Sequence, residues 1–160
     1  GDSMMMEGFG PVLQRTLRKR PDLEVVREGK YSTGLSRQDY FDWPAQLEKL
    51  VGKYNPDMVV ICMGANDPQD IIDENRKRHH ADSESWKTIY RSRAERLLAV
   101  ATAKGAKAVW VGLPVMGKEP YSTRVRRLSE LQKEACETYS SAMGLPAMRS
   151  SEATSTQLRR

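Results

Sequence analysis

The chain has 160 residues, 39% of them apolar and 29% charged, and a net charge of +5. That is enough chain for one domain with a real core, and no apolar run approaches the ~20 residues of a membrane span. The basic residues are spread over Arg15–Arg20, Arg76–Arg78, Arg124–Arg127 and Arg159–Arg160, on different predicted elements. A nucleic-acid site would gather them on one face with interleaved aromatics, so nucleic acid is not an expected partner. The first residue is Gly1 rather than Met, so the lack of a visible signal peptide says little.

In chain order, Ser3 opens a turn, and Met4, Met5 and Met6 are expected to pack beneath it. Pro11 suits the first turn of a helix whose apolar side is Val12, Leu13 and Leu17, up to Arg20-Pro21. Leu23–Val26 reads as a short strand, and Arg27–Leu35 as a polar, glycine-containing loop. Asp42-Trp43-Pro44 starts the next helix, where Leu47, Leu50, Val51 and Tyr54 recur at helical spacing, and Asn55–Asp57 is a turn. The run Asp57–Met63 is short, apolar and β-branched in its middle, which predicts a buried strand ended by Gly64.

Residues 68–86 read as a long charged connection, with His79 and His80 as a solvated loop pair. Ser83 or Ser85 can cap a helix from Trp86 to Lys104 that turns Ile89, Tyr90, Leu97, Leu98 and Ala101 inward, and Gly105 ends it. Ala108–Val111 is a strand. Thr123–Ala142 is a helix aligning Val125, Leu128, Leu131, Ala135 and Tyr139, with Gly144 as its stop. Residues 1–146 form the expected domain and 147–160 a polar tail without apolar period. Alternating strands and helices predict a doubly wound α/β fold with a parallel sheet. Cys62 and Cys136, with no metal spacing, read as separate buried thiols.

The chemistry concentrates on Gly64-Ala65-Asn66-Asp67 and on Gly1-Asp2-Ser3. An Asn on a glycine-led turn at the carboxyl end of a buried strand faces the crevice where open α/β sheets bind ligands. Its amide N–H can donate to an oxyanion; the plainer role is an Asx turn. Asp67 is read as a buttress of the turn. Ser3, on a glycine-led turn before a helix, has an exposed hydroxyl with backbone N–H groups aimed at the same spot; the plainer role is a helix N-cap. Gly34, lacking a side chain, can bring a backbone N–H close to a ligand, or is a loop glycine. A serine hydroxyl is a poor nucleophile at neutral pH and needs both a base and an oxyanion hole.

The two blocks, in this order, resemble signature blocks of the SGNH hydrolases, the GDSL-type esterases and lipases. By that resemblance Ser3 is the nucleophile, and Gly34 and Asn66 complete the oxyanion hole with the Ser3 N–H. Gly29-Lys30, Ser32–Gly34, Asp39–Pro44, Gly64–Ile71 and Trp110–Met116 extend the similarity to a bacterial branch of SGNH proteins long catalogued as a domain of unknown function. The resemblance spans about residues 1–146 and implies a flavodoxin-like three-layer α/β/α sandwich. It also implies a periplasmic or cell-envelope setting, and an ester substrate such as an acetyl group on a glycan. It implies no metal or organic cofactor.

The sequence departs from that pattern at two places. The family has an apolar strand before its first block, and none stands before Gly1. Its last block, Asp-x-x-His, supplies the base, and it occurs nowhere here. The expectation is therefore an incomplete sandwich, a fragment whose parent is an ester hydrolase and which is itself weakly active or inactive. The alternative is a non-catalytic envelope module that binds glycan or protein.

Overall fold

The computed structural model describes residues 1–114 and 119–146; the expected tail at 147–160 lies outside them. The order is α1 (Ser3–Met6), α2 (Phe9–Leu17), α3 (Trp43–Tyr54), β1 (Met58–Ile61), β2 (Ile71–Ile72), β3 (Arg78–His79), α4 (Glu84–Thr102), β4 (Lys107–Trp110), α5 (Tyr121–Glu137) and β5 (Ala142–Gly144). Strands β1, β4 and β5 form a parallel sheet in that order, with Met58 opposite Lys107 and Ala108 opposite Ala142. Parallel neighbours need a crossover, and α4 and α5 supply the two.

Alternation along the strands divides the core between the two faces of the sheet. Ile61, Met63, Ala108 and Trp110 pack with Trp43 of α3, with Trp86, Tyr90, Leu97 and Leu98 of α4, and with Val125, Leu128 and Leu131 of α5. On the other face Cys62 and Val111 meet Met5, with Met4, Phe9 and Val60 at the margin. Helical residues thus lie against both faces of the three-stranded sheet, consistent with an incomplete α/β/α sandwich. Cys62 and Cys136 are free, buried and in different clusters, as expected. The methionine run does pack beneath the first turn, through Met5.

Local signals account for the helix ends. Asp42 caps α3 by accepting the Ala45 N–H at 3.0 Å, Pro44 lies in the first turn, and Asn55 closes the helix in the left-handed conformation. Ser83, not Ser85, caps α4, through the Trp86 N–H at 3.2 Å.

Five expectations are corrected. Helix α2 ends at Leu17 rather than at Arg20-Pro21, and Val12, expected on its apolar side, is exposed. Leu23–Val26 is extended but pairs with no strand; instead Gln14 and Arg18 of α2 donate side-chain hydrogen bonds to the Val25 carbonyl. The charged connection at 68–86 contains an antiparallel hairpin, β2 against β3, in which Ile71 is opposite His79. Helix α5 stops at Glu137, capped by Thr138, rather than running to Ala142. Gly144 is then no helix stop but the end of β5, where its Leu145 neighbour donates to the Trp110 carbonyl at 2.8 Å.

One arrangement positions the first block. The Gly1 N–H donates to Glu28 O at 3.0 Å, Lys30 N–H donates to Gly1 O at 3.0 Å, and Asp2 N–H donates to Cys62 O at 3.3 Å. Gly1-Asp2 therefore lies between the 28–30 segment and the chain leaving β1. Among the described residues β1 pairs with β4 alone, and its Met58 is 54% exposed.

Candidate functional site

Asp2 is the joint between the first block and the third. Its side chain is fully buried. One carboxylate oxygen accepts the Met4 N–H at 2.9 Å, capping α1; the other accepts the N–H groups of Gly64 at 3.0 Å and Ala65 at 3.3 Å. Ser3 is consequently not the N-cap but the first residue of the helix. Its hydroxyl and its backbone N–H have no hydrogen-bond partner among the described residues.

Asp67 is the joint between the third block and the Gly34 loop. It is fully buried and accepts the Ser36 N–H at 2.7 Å and the Tyr90 hydroxyl at 3.0 Å. Its own carbonyl accepts from the Ser36 hydroxyl at 2.8 Å. Gly34 presses on this carboxylate: a Cβ at Gly34 would stand 2.2 Å from Asp67 Oδ1. Here the absence of a side chain is a steric requirement. The Gly34 N–H has no acceptor among the described residues.

Asn66 crosses to the same loop. Its amide donates to the Thr33 carbonyl at 3.0 Å, so it forms a tie to the residue before Gly34 rather than an Asx turn. An amide has two N–H donors, and the second has no acceptor among the described residues. Thr33 is itself fixed: its hydroxyl donates to Lys30 O at 2.7 Å and accepts from the Trp43 indole at 2.9 Å. Sequence reasoning singled out Ser3, Gly34 and Asn66. The structure stitches their three turns together within one or two residues of each.

Behind them runs a buried polar line that sequence reasoning missed. Gln132 of α5 donates to the Met63 carbonyl at 3.0 Å and to the Tyr90 hydroxyl at 2.9 Å, and Tyr90 donates to Asp67. Tyr121 donates to the Ala65 carbonyl. Burial pushes the carboxyls of Asp2 and Asp67 above the usual range, although their backbone donors pull the other way. Burial likewise pushes the Tyr90 phenol well up, helped by the Asp67 charge beside it.

Neither histidine serves Ser3. His79 is 7% exposed rather than solvated, and bonds Asp73 and Ser85, each at 2.9 Å. His80 is exposed, as expected, and meets Asp70 at 3.1 Å. Among the described residues no three His, Cys, Asp or Glu side chains converge as metal ligands, and no helix is long and apolar enough to cross a membrane.

Among curated proteins none matches the chain. A family model described as "Protein of unknown function (DUF459)" matches residues 1–157. That match covers nearly the whole chain, its candidate site included, and the chain belongs to this family.

Proposed function

We propose that this chain carries the oxyanion-binding core of an SGNH-type ester hydrolase. Ser3 is its nucleophile, and the hole is formed by the N–H groups of Ser3 and Gly34 and the Asn66 amide. The observation that supports this reading most is the set of three unengaged donors on three turns that are tied together by Asp2, Asp67 and Thr33. Gly34 is buried and Ser3 and Asn66 are half-buried, and open donors on three turns that are tied to one another suit an acceptor that arrives with a ligand. In the reaction Ser3 Oγ attacks the ester carbonyl, the alcohol leaves with a proton, and water releases the acid from the acyl-Ser3 intermediate. The substrate class is a small acyl ester, such as acetyl on a cell-envelope glycan, and the setting is the periplasm or envelope.

A base is the missing part. Ser3 Oγ touches no histidine among the described residues, and both histidines of the chain are held elsewhere. Loss of the base in a Ser–His system costs on the order of a million-fold in turnover. Turnover at Ser3 in this chain is therefore slow or absent, and the reaction this site is built for is ester hydrolysis. The same observation favours a second reading, an envelope module that binds glycan or protein through this pocket without turnover.

The test is hydrolysis of p-nitrophenyl acetate with rising imidazole, comparing the chain with Ser3→Ala. Imidazole stands in for the absent base, so the expected result is a Ser3-dependent rate that grows with imidazole. Equal rates for both proteins at every imidazole concentration overturn the reading of Ser3 as nucleophile. Near-normal turnover without imidazole, abolished by Ser3→Ala, overturns the statement that this chain is impaired.

A further inference from the structure

A second constellation of nucleophile, base and carboxylate lies outside the stitched turns. His79, in β3, is 7% exposed and sits between two oxygens: Asp73 Oδ2, 2.9 Å from Nε2, and Ser85 Oγ, 2.9 Å from Nδ1. Asp73 is fixed in the hairpin turn, where its other oxygen accepts the N–H groups of Asn75 and Lys77, both at 2.9 Å. The His79 ring beside it holds the Asp73 carboxyl below its usual range, so it is an acceptor only.

That fixes the roles around the ring. A carboxylate can only accept, so Nε2 carries a proton, and whenever the ring is neutral Nδ1 is a lone pair. Ser85 must then donate its hydroxyl proton to Nδ1. Ser83 Oγ, 3.3 Å away, can donate to Ser85 Oγ in turn. A hydroxyl pointing its proton at an imidazole whose far side is held by a carboxylate is the arrangement that activates serine. Ser85 is exposed, in the first turn of α4, and the N–H groups of Glu84 and Ser85 have no acceptor among the described residues. They are donors for an oxyanion formed at Ser85.

We propose that Ser85 is a second nucleophile, activated by His79 and Asp73, that takes an acyl group from small activated esters. In the step Ser85 Oγ bonds to the carbonyl carbon as its proton passes to His79 Nδ1. The bond from carbon to the alcohol oxygen breaks, and that oxygen leaves with the proton from Nδ1. Water, deprotonated by His79, then releases the acid and restores the hydroxyl. Nothing in this chemistry uses Ser3, and the inference stands whether or not the Ser3 reading holds.

The experiment is labelling of the folded chain with an alkyl fluorophosphonate, followed by peptide mapping of the adduct by tandem mass spectrometry. Ser85 Oγ attacks phosphorus, fluoride leaves and His79 takes the proton. The expected adduct is on Ser85, it disappears in Ser85→Ala, and its rate falls ~100-fold or more in His79→Gln, as for loss of a general base. Should His79→Gln fail to fold by circular dichroism, Asp73→Asn replaces it, with labelling expected to slow at least ~10-fold through loss of the fixed tautomer. No adduct on Ser85, where trypsin in the same tube labels fully, overturns the inference. So does labelling of Ser85 at an unchanged rate in the folded His79 or Asp73 variant. An adduct on Ser3 alone overturns it while supporting the other site, so the two readings fail separately.

Discussion

The carboxylate of Asp2 accepts the backbone N–H of Gly64 at 3.0 Å, across 62 residues of chain. One acidic side chain thus caps the first helix and fixes the turn that carries Asn66. Replacing it leaves three backbone donors without their acceptor, that of Gly64 buried and those of Met4 and Ala65 part-buried. Asp2→Ala is expected to cost about 3 kcal/mol, taking ~1–3 kcal/mol for each stranded donor and allowing for partial relaxation. Asp2→Asn keeps one oxygen and should cost less. Urea unfolding of the three proteins orders them; a cost below about 1 kcal/mol for Asp2→Ala would mean the blocks hold together without this joint.

Two glycines make opposite predictions. A Cβ on Gly34 meets the Asp67 carboxylate at 2.2 Å, so Gly34→Ala must move the loop or Asp67 and is expected to destabilise by ~1–3 kcal/mol. Gly52, inside α3, has nothing within 4 Å of a Cβ and no positive φ. Gly52→Ala should therefore stabilise by up to about 1 kcal/mol, the helix-propensity difference. Thermal melts of the pair suffice; equal effects of like sign would contradict the steric account.

The polar line Gln132–Tyr90–Asp67 connects α5 and α4 to the candidate site. Tyr90→Phe keeps the ring, which stacks on Trp86 at 5.0 Å between centroids, and removes only the hydroxyl. Asp67 then loses a donor and the Gln132 amide an acceptor, both buried. The expected loss is ~1–3 kcal/mol. Because the stack remains, Trp fluorescence of the folded state should change little while the unfolding midpoint falls.

How much of this was legible beforehand depends on the range of the contacts. Asp42 and Pro44 announce a helix start and Asn55 a turn through their own neighbours, and the structure uses each there; of the alternative caps Ser83 and Ser85 it uses Ser83. Gly64 and Asn66 were legible for the same reason: a turn signal directly after an apolar run. The role of Asp2 was not, because Ser3 is as good a local cap and the choice rests on Gly64 and Ala65, far along the chain. Tyr90 reads as one more inward position of α4; nothing local says that its hydroxyl meets Asp67, 23 residues away. β5 has three residues, Ala142–Gly144, without a β-branched side chain, so Ala142 reads as the end of the helix before it and Gly144 as its stop. His79 was hidden in a charged run, where only the pairing of Ile71 with His79 in the hairpin carries it inside.

The protonation of Asp67 gives a prediction in which two forces compete. Burial disfavours its charged form, while the Ser36, Leu35 and Tyr90 donors favour it, and burial is the larger. The folded carboxyl therefore holds its proton to higher pH than the unfolded one, which titrates near ~3.9. Between those two values the folded state binds more protons, so stability falls as pH rises through the folded pKa and is recovered on acidification. Other groups titrate too: the buried Gly1 amine is lowered to about 5 from 8.0 and works in the opposite direction. The comparison with Asp67→Asn cancels groups that do not feel Asp67, the Gly1 amine among them. Once pH has risen past the folded pKa the parent carries a costly buried charge, so the variant's deficit is smallest at the upper end of the range. At pH ~4 the parent is relieved of that charge and the variant gains nothing, so the deficit widens. Urea unfolding of both proteins at pH 7, 5.5 and 4 measures it. A deficit that narrows on acidification would mean that the three donors outweigh burial, and that Asp67 is a carboxylate held by hydrogen bonds rather than a buried acid that favours its proton.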